Sequence, residues 1–201
     1  MTQIEQVIRF WFGIQDEDGF SSKQEKNKWW SGSAETDLDI SHQFGELVNQ
    51  ALKHQLKEWE ETAEGQLAYI ILLDQFTRYI YRGTEHAFSG DSKALKICKN
   101  GLSVDNDLAL TSEQRVFFYM PLEHSEAIED QELCIRLLEG LLKRSPSHRQ
   151  DVIQGYIRFA KHHRDIIAEF GRFPHRNETL KRMNTPQENE FLKGEHSRFG
   201  Q

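Results

Sequence analysis

The chain has 201 residues, 37% hydrophobic and 28% charged, with four Trp and thirteen Phe; this is globular composition, long enough to bury a core, and it excludes a disordered chain. Its net charge of −7 argues against nucleic-acid and anionic-membrane partners, since both need a positive footprint. Cys98 and Cys134 lack CxxC spacing, the N-terminus lacks a signal-peptide plan, and the longest apolar run, "LAYIILL" at 67–73, is too short to cross a bilayer, so free thiols and a cytoplasmic protein are expected.

Helix signals follow one another along the chain. Thr2 and Glu5 have capping-box spacing, and Ile4, Val7, Ile8 and Trp11 form one stripe before Gly13 stops it. The stretch from Gly13 to Lys28 reads as weakly structured. Phe44, Leu47, Val48 and Ala51 repeat the helical stripe. A third helix runs from Leu67 to near Arg82 and ends at Gly83, and a fourth runs from near Ser89 to Gly101. Thr111 and Gln114 form a second capping box, after which Pro121 starts or kinks a helix reaching Lys143. Ser147 is placed to cap a long helix that closes at Phe170 with Gly171 as its C-cap. Thr185, Pro186 and Glu188 supply a cap, a first-turn proline and a capping-box partner for a last short helix. Strand alternation and hairpin turns are nearly absent and no composition break divides the chain. The reading is one all-α domain over 1–201, with about eight to ten helices and no sheet.

Three helices carry polar residues where apolar ones belong. On the long helix, Val152, Tyr156, Phe159, Ala160, Ile167 and Phe170 share a face with His163 at its centre. If a helix starts at Glu123, then Glu123, His124, Asp130 and Gln131 lie on its apolar side. Further back, Asp74, Gln75, Arg78, Tyr81 and Arg82 emerge within one sector of a helix whose first turns are apolar all round. Between Arg158 and Arg182 there are seven Lys or Arg and three Asp or Glu, whereas Glu123 to Glu132 holds five acids. Such segments attract each other, so Arg172 or Arg176 is expected to pair with Glu123, Glu126, Asp130 or Asp74. In "FGRFPHRN", Pro174 is expected to hold the loop extended. Phe170 and Phe173 would then anchor it while Arg172, His175 and Arg176 point at "PLEHSE" and "LDQF".

The motifs "VIRFWFG", "LLDQFTRYIYRGT", "PLEHSE" followed by "DQE", "FGRFPHRN" and "TPQENEFL" resemble, in that order and over essentially the whole chain, a bacterial family known as domain of unknown function 924. The resemblance implies a tetratricopeptide-like stack of antiparallel helix pairs, and no established activity comes with it. Its motif positions fall here on Asp74, Gln75, Arg78, Arg82, Glu123, His124, Glu126, Arg172, His175, Arg176 and Asn177. The chain departs from the family pattern at Thr77, Tyr79 and Lys181.

Two functional readings follow, and enzyme activity stays open between them. In the first, a pocket binds or acts on a small anionic ligand, a carboxylate or phosphate. Arg78, Arg172 and Arg176 hold it by two-point hydrogen bonding, and Glu123 and His124 are the acid–base candidates. Asp74, Arg82, Glu126, His163, His175 and Asn177 complete the binding set. In the second, the charged motifs are a structural ion-pair network in a module that binds a peptide or protein. No metal is expected, since Glu123, His124, Glu126, His163 and His175 lack a ligand spacing such as HExxH. No cofactor is expected either, as phosphate-loop, dinucleotide and nucleophile-elbow motifs are missing.

Overall fold

A computed structural model describes residues 1–30 and 33–194, and residues 31–32 and 195–201 of the expected domain lie outside them. Among the described residues the regular structure is entirely helical, with no strand, and no helix is long and apolar enough to cross a membrane. The α-helices are α1 (Gln3–Phe12), α2 (Lys23–Trp30), α3 (Ala34–Leu52), α4 (Ala63–Ile70), α5 (Thr77–Ile80), α6 (Asp91–Leu102), α7 (Ser112–Glu123), α8 (Ile128–Arg144), α9 (Gln150–Phe170) and α10 (Pro186–Phe191).

The capping boxes act as their sequence spacing requires. Thr2, Thr111 and Thr185 each exchange side-chain and backbone hydrogen bonds with the residue three positions on, which starts α1, α7 and α10. Gly171 closes α9 in the left-handed region at φ 68°, where a glycine pays no Cβ penalty.

Four of the helices, α1, α3, α6 and α7, pack around one rod. Between α4 and α5 the chain winds as a π-helix, Ile71–Phe76, so the third sequence-predicted helix exists but is not α-helical throughout. Every residue from Gly65 to Thr77 is buried, because α1, α3, α6 and α7 all pack against parts of this rod. A π turn spends one extra residue per turn and weakens the backbone ladder. Local groups compensate: Thr77 Oγ1 donates to the Leu73 carbonyl at 2.7 Å, and Arg78 donates to the Asp74 carbonyl.

Four sequence expectations need correction. The stretch expected to be weakly structured, Gly13 to Lys28, contains most of α2. Its Trp29 donates from the indole N–H to the Trp11 carbonyl (3.0 Å), and Tyr79 donates to the Trp29 carbonyl (2.8 Å). Burial against distant aromatic rings thus holds a helix that local propensity leaves weak. Pro121 neither starts nor kinks the next helix; it sits inside α7, and the chain breaks later, at His124–Ala127. That break is held from α8: the Gln131 amide donates to the Glu123 and Ser125 carbonyls (2.5 and 2.7 Å), and Ser125 donates to Asp130 (2.8 Å). Ser147 opens a 3-10 turn, Ser147–Arg149, and α9 itself begins at Gln150. Finally, the inward line of α9 is Ile153, Ile157, Ala160, His163, Ile166 and Ile167, turned slightly from the expected one, with His163 still at its centre.

Gly90 sets how closely α6 approaches the π turn. A Cβ there would overlap the Leu73 backbone carbonyl, whereas one at Gly45 on α3 would meet nothing. Gly90→Ala should therefore destabilise the protein by about 1–3 kcal/mol through overpacking. Gly45→Ala should stabilise it by about 0.5–1 kcal/mol, the helix-interior difference between the two residues. Urea denaturation of both variants checks the contrast.

Candidate functional site

The π turn presents Asp74 to the interior, fully buried. An ionised carboxylate there must be surrounded by donors and positive charge. His124, the C-cap of α7, directs Nδ1 at both Asp74 oxygens (2.8 and 3.0 Å). Gln75 donates to Oδ2 at 2.6 Å, and Arg78 Nη1 lies 3.4 Å from Oδ1. Burial pushes the Asp74 pKa up, but Arg78 and His124 outweigh it and hold this carboxyl well below its ordinary value. The contact to Asp74 commits Nδ1 and fixes the orientation of the His124 ring.

Around this pair stand three further groups. Arg78 forms a bidentate pair with Asp91, the first residue of α6 (3.0 and 3.1 Å). Arg176 donates to the His124 carbonyl (3.1 Å) and lies 3.6 Å from Asp91. Its guanidinium sits between the Phe173 and Phe88 rings, at 4.4 and 4.9 Å from their centroids. It is buried, and its Nε has no hydrogen-bond partner; burial, with Arg78 nearby, pulls its pKa down to about 10. Glu123 is also buried with Oε1 unpartnered. Burial, helped by the Asp74 charge, raises its pKa to about 8, so it is a neutral acid at pH 7.

His163 lies behind Glu123, with Nδ1 3.8 Å from Glu123 Oε1, and gives Nδ1–H to the Phe159 carbonyl of its own helix (3.0 Å). Its ring centroid is 6.2 Å from that of His124. Burial holds His163 well below its ordinary pKa and brings His175 down to about 3, with Arg176 adding to the second shift.

The structure thus gathers Asp74, Arg78, Glu123, His124, His163 and Arg176, with His175 at the edge. Other sequence candidates are engaged elsewhere. Arg82 pairs with Asp37 on α3 (2.9 Å for both contacts), and Asn177 donates to Asn184 (2.7 Å). Glu126 positions rather than faces the cluster: it accepts from the Phe173 N–H (2.9 Å) and from Arg182 (2.8 and 3.0 Å).

The expected pairing of Arg172 or Arg176 with Glu123, Glu126, Asp130 or Asp74 does not form. Arg172 pairs with Glu188 (2.6 and 2.8 Å), Arg176 with Asp91, Glu126 with Arg182, and Asp130 with Lys99 (2.6 Å). The loop geometry also differs. Phe173 is extended, but Pro174 opens a 3-10 turn, Pro174–Arg176, and this turn swings Arg176 inward while Arg172 points away. Phe173 is fully buried as expected, and Phe170 is only half-buried against Phe191.

Sequence reading missed Asp91, Arg182 and Glu188 as partners. Asp91 looks like an ordinary first-turn acid. Glu188 looks like a capping-box residue, which it also is, accepting from the Thr185 N–H at 2.6 Å. Among the described residues no group of three or more His, Cys, Asp or Glu is arranged to hold a metal ion.

A family model described as a bacterial protein of unknown function (DUF924) matches residues 7–196. A solved structure of a protein of unknown function from Agrobacterium tumefaciens is similar at 33% identity, with a TM-score of 0.79, over 95% of this chain and 97% of that one. No curated protein matches the chain. The chain belongs to the DUF924 family.

Between its ordinary value of 4.5 and about 8, Glu123 keeps in the folded protein a proton that the unfolded chain releases. Its contribution to stability therefore falls as pH rises through that window. Glu123→Gln cannot ionise, so at pH 8 it should be more stable than the wild type, on the order of 2–4 kcal/mol. That advantage should shrink steadily toward pH 5. Urea unfolding at several pH values measures it, and a pH-independent difference would mean that Glu123 titrates as an ordinary carboxylate.

Proposed function

We propose that in this family member the cluster around His124 binds a small anion, with Arg176 as its anchor and His124 as the group that exchanges a proton beside it. The observation that carries this reading is the state of Arg176: a buried guanidinium, clamped by two aromatic rings, whose Nε lacks any partner. Leaving such donors unsatisfied is costly, and the oxygens of a carboxylate or phosphate match the guanidinium fork. Arg182 also has a buried Nε without a hydrogen-bond partner, but both its terminal nitrogens are taken by Glu126. Arg78 already forms a bidentate pair with Asp91 and donates to the Asp74 carbonyl, and Arg172 is bonded to Glu188 and the Met183 carbonyl.

The acid–base equipment stands next to that anchor. His124 has its tautomer set by Asp74 and a side chain that is 15% exposed. Glu123, neutral at pH 7, is the acid beside it. This is a binding site able to move a proton, in a protein that we place in the cytoplasm with Cys98 and Cys134 reduced; both are free and buried.

A second reading has its own support. Arg78, Arg82, Arg172 and Arg182 all sit in two-point pairs with carboxylates. These pairs lock helices together, and on this reading the motifs serve only the packing of a tetratricopeptide-like, peptide-binding stack.

Calorimetric titration with simple carboxylates and phosphate monoesters separates the two. The wild type should bind one class, Arg176→Ala should lose about 30–100-fold in affinity, as for a lost charge-assisted pair, and Arg172→Ala should stay within about twofold. No binding by the wild type would leave the ion-pair network as the better account.

A further inference from the structure

The charges around His124 restrict what the site can accept. Resting on the reading that Arg176 anchors an anion, we infer that the ligand is a singly charged carboxylate rather than a dianionic phosphate, and that one proton enters with it on His124.

The groups facing His124 come from every element around it. The rod gives Asp74 and Arg78, α6 gives Asp91, the loop after α9 gives Arg176 and His175, α9 gives His163, and α7 gives Glu123. The Glu126–Arg182 pair lies just outside. Asp74, Asp91 and Glu126 balance Arg78, Arg176 and Arg182, and Glu123 is a neutral acid at pH 7. These side chains therefore sum to no net charge. An anion brought to Arg176 would leave them with a net negative charge in a poorly solvated place, which is expensive unless a cation forms.

One group here is placed to become that cation. His163 and His175 are held neutral by burial, and His163 has already committed Nδ1 to a carbonyl. Glu123 already holds its proton. His124 remains: Nδ1 rests on a carboxylate that would stabilise an imidazolium, and the ring is partly open to solvent. Among these side chains burial, with Arg78 and Arg176 adding to it, keeps its pKa below the ordinary 6.5 despite Asp74. A negative ligand works in the opposite direction and draws a proton on. One histidine supplies one charge, so a monoanion is neutralised. A phosphate monoester, mostly dianionic at neutral pH, is not.

The probes are benzoate and phenyl phosphate, which carry the same ring. Each is titrated into the full chain at pH 7.0, in two phosphate-free buffers with different heats of protonation. For benzoate the buffer-dependent heat should correspond to roughly one proton taken up, and affinity should fall about tenfold from pH 6.5 to 7.5. Phenyl phosphate should bind at least about tenfold more weakly. His124→Gln should bind benzoate more weakly and with a buffer-independent heat. Benzoate binding without proton uptake, uptake retained in His124→Gln, or tighter binding of phenyl phosphate would overturn this inference and leave the anion site standing. Binding of neither anion by the wild type would overturn both. The wild-type buffer dependence decides the question even where His124→Gln does not fold.

Discussion

A buried carboxylate governs this molecule. Asp74 has no exposed surface, and its charge is tolerable only because Arg78, His124 and Gln75 converge on it. Each partner belongs to a part of the chain that must then be held. Arg78 lies one turn on and is tied to Asp91 at the start of α6. His124 opens the break between α7 and α8, and the Gln131 amide on α8 fixes that break. Satisfying one charge therefore locks the central rod, α6, α7 and α8 in mutual register.

The loop after α9 is fastened by the same kind of device. Glu126 accepts from the Phe173 backbone and from both ends of the Arg182 fork, and Glu188 serves Arg172 and the α10 cap together. Arg172 and Arg182 thus act as clamps, and Arg176 is the arginine left facing the cluster. The mixture of Phe and cations in "FGRFPHRN" has a mechanical reason: Phe173 is buried and, with Phe88, sandwiches the guanidinium of Arg176. Rigid aromatic walls keep that guanidinium in place although few hydrogen bonds hold it.

Local signals carried well as far as local forces decided the outcome. The three capping boxes and the Gly171 C-cap are visible from residue spacing, because each is closed within a few residues. His163 was legible as a histidine on an apolar face, and Asp74 as an acid in a helix apolar all round. Helix α2 was not legible: its support comes from Trp11, Tyr79 and Phe117, distant in sequence. The π turn was hidden too, since what holds it includes the close approach of Gly90 to Leu73.

The amino-acid order by itself determined an all-helical chain, where most helices start and stop, and which charged residues sit on faces that pack inward. Those follow from periodicity and caps, which act over one or two turns. Only the tertiary structure decided the pairing. Segment charge said that the basic stretch near Arg172 and the acidic stretch near Glu123 should meet, but a guanidinium takes whichever carboxylate the fold brings within reach, about 4 Å or less. Those carboxylates were Asp91 for Arg176 and Glu188 for Arg172, and the choice between them was made by a 3-10 turn at Pro174 and by a break after His124.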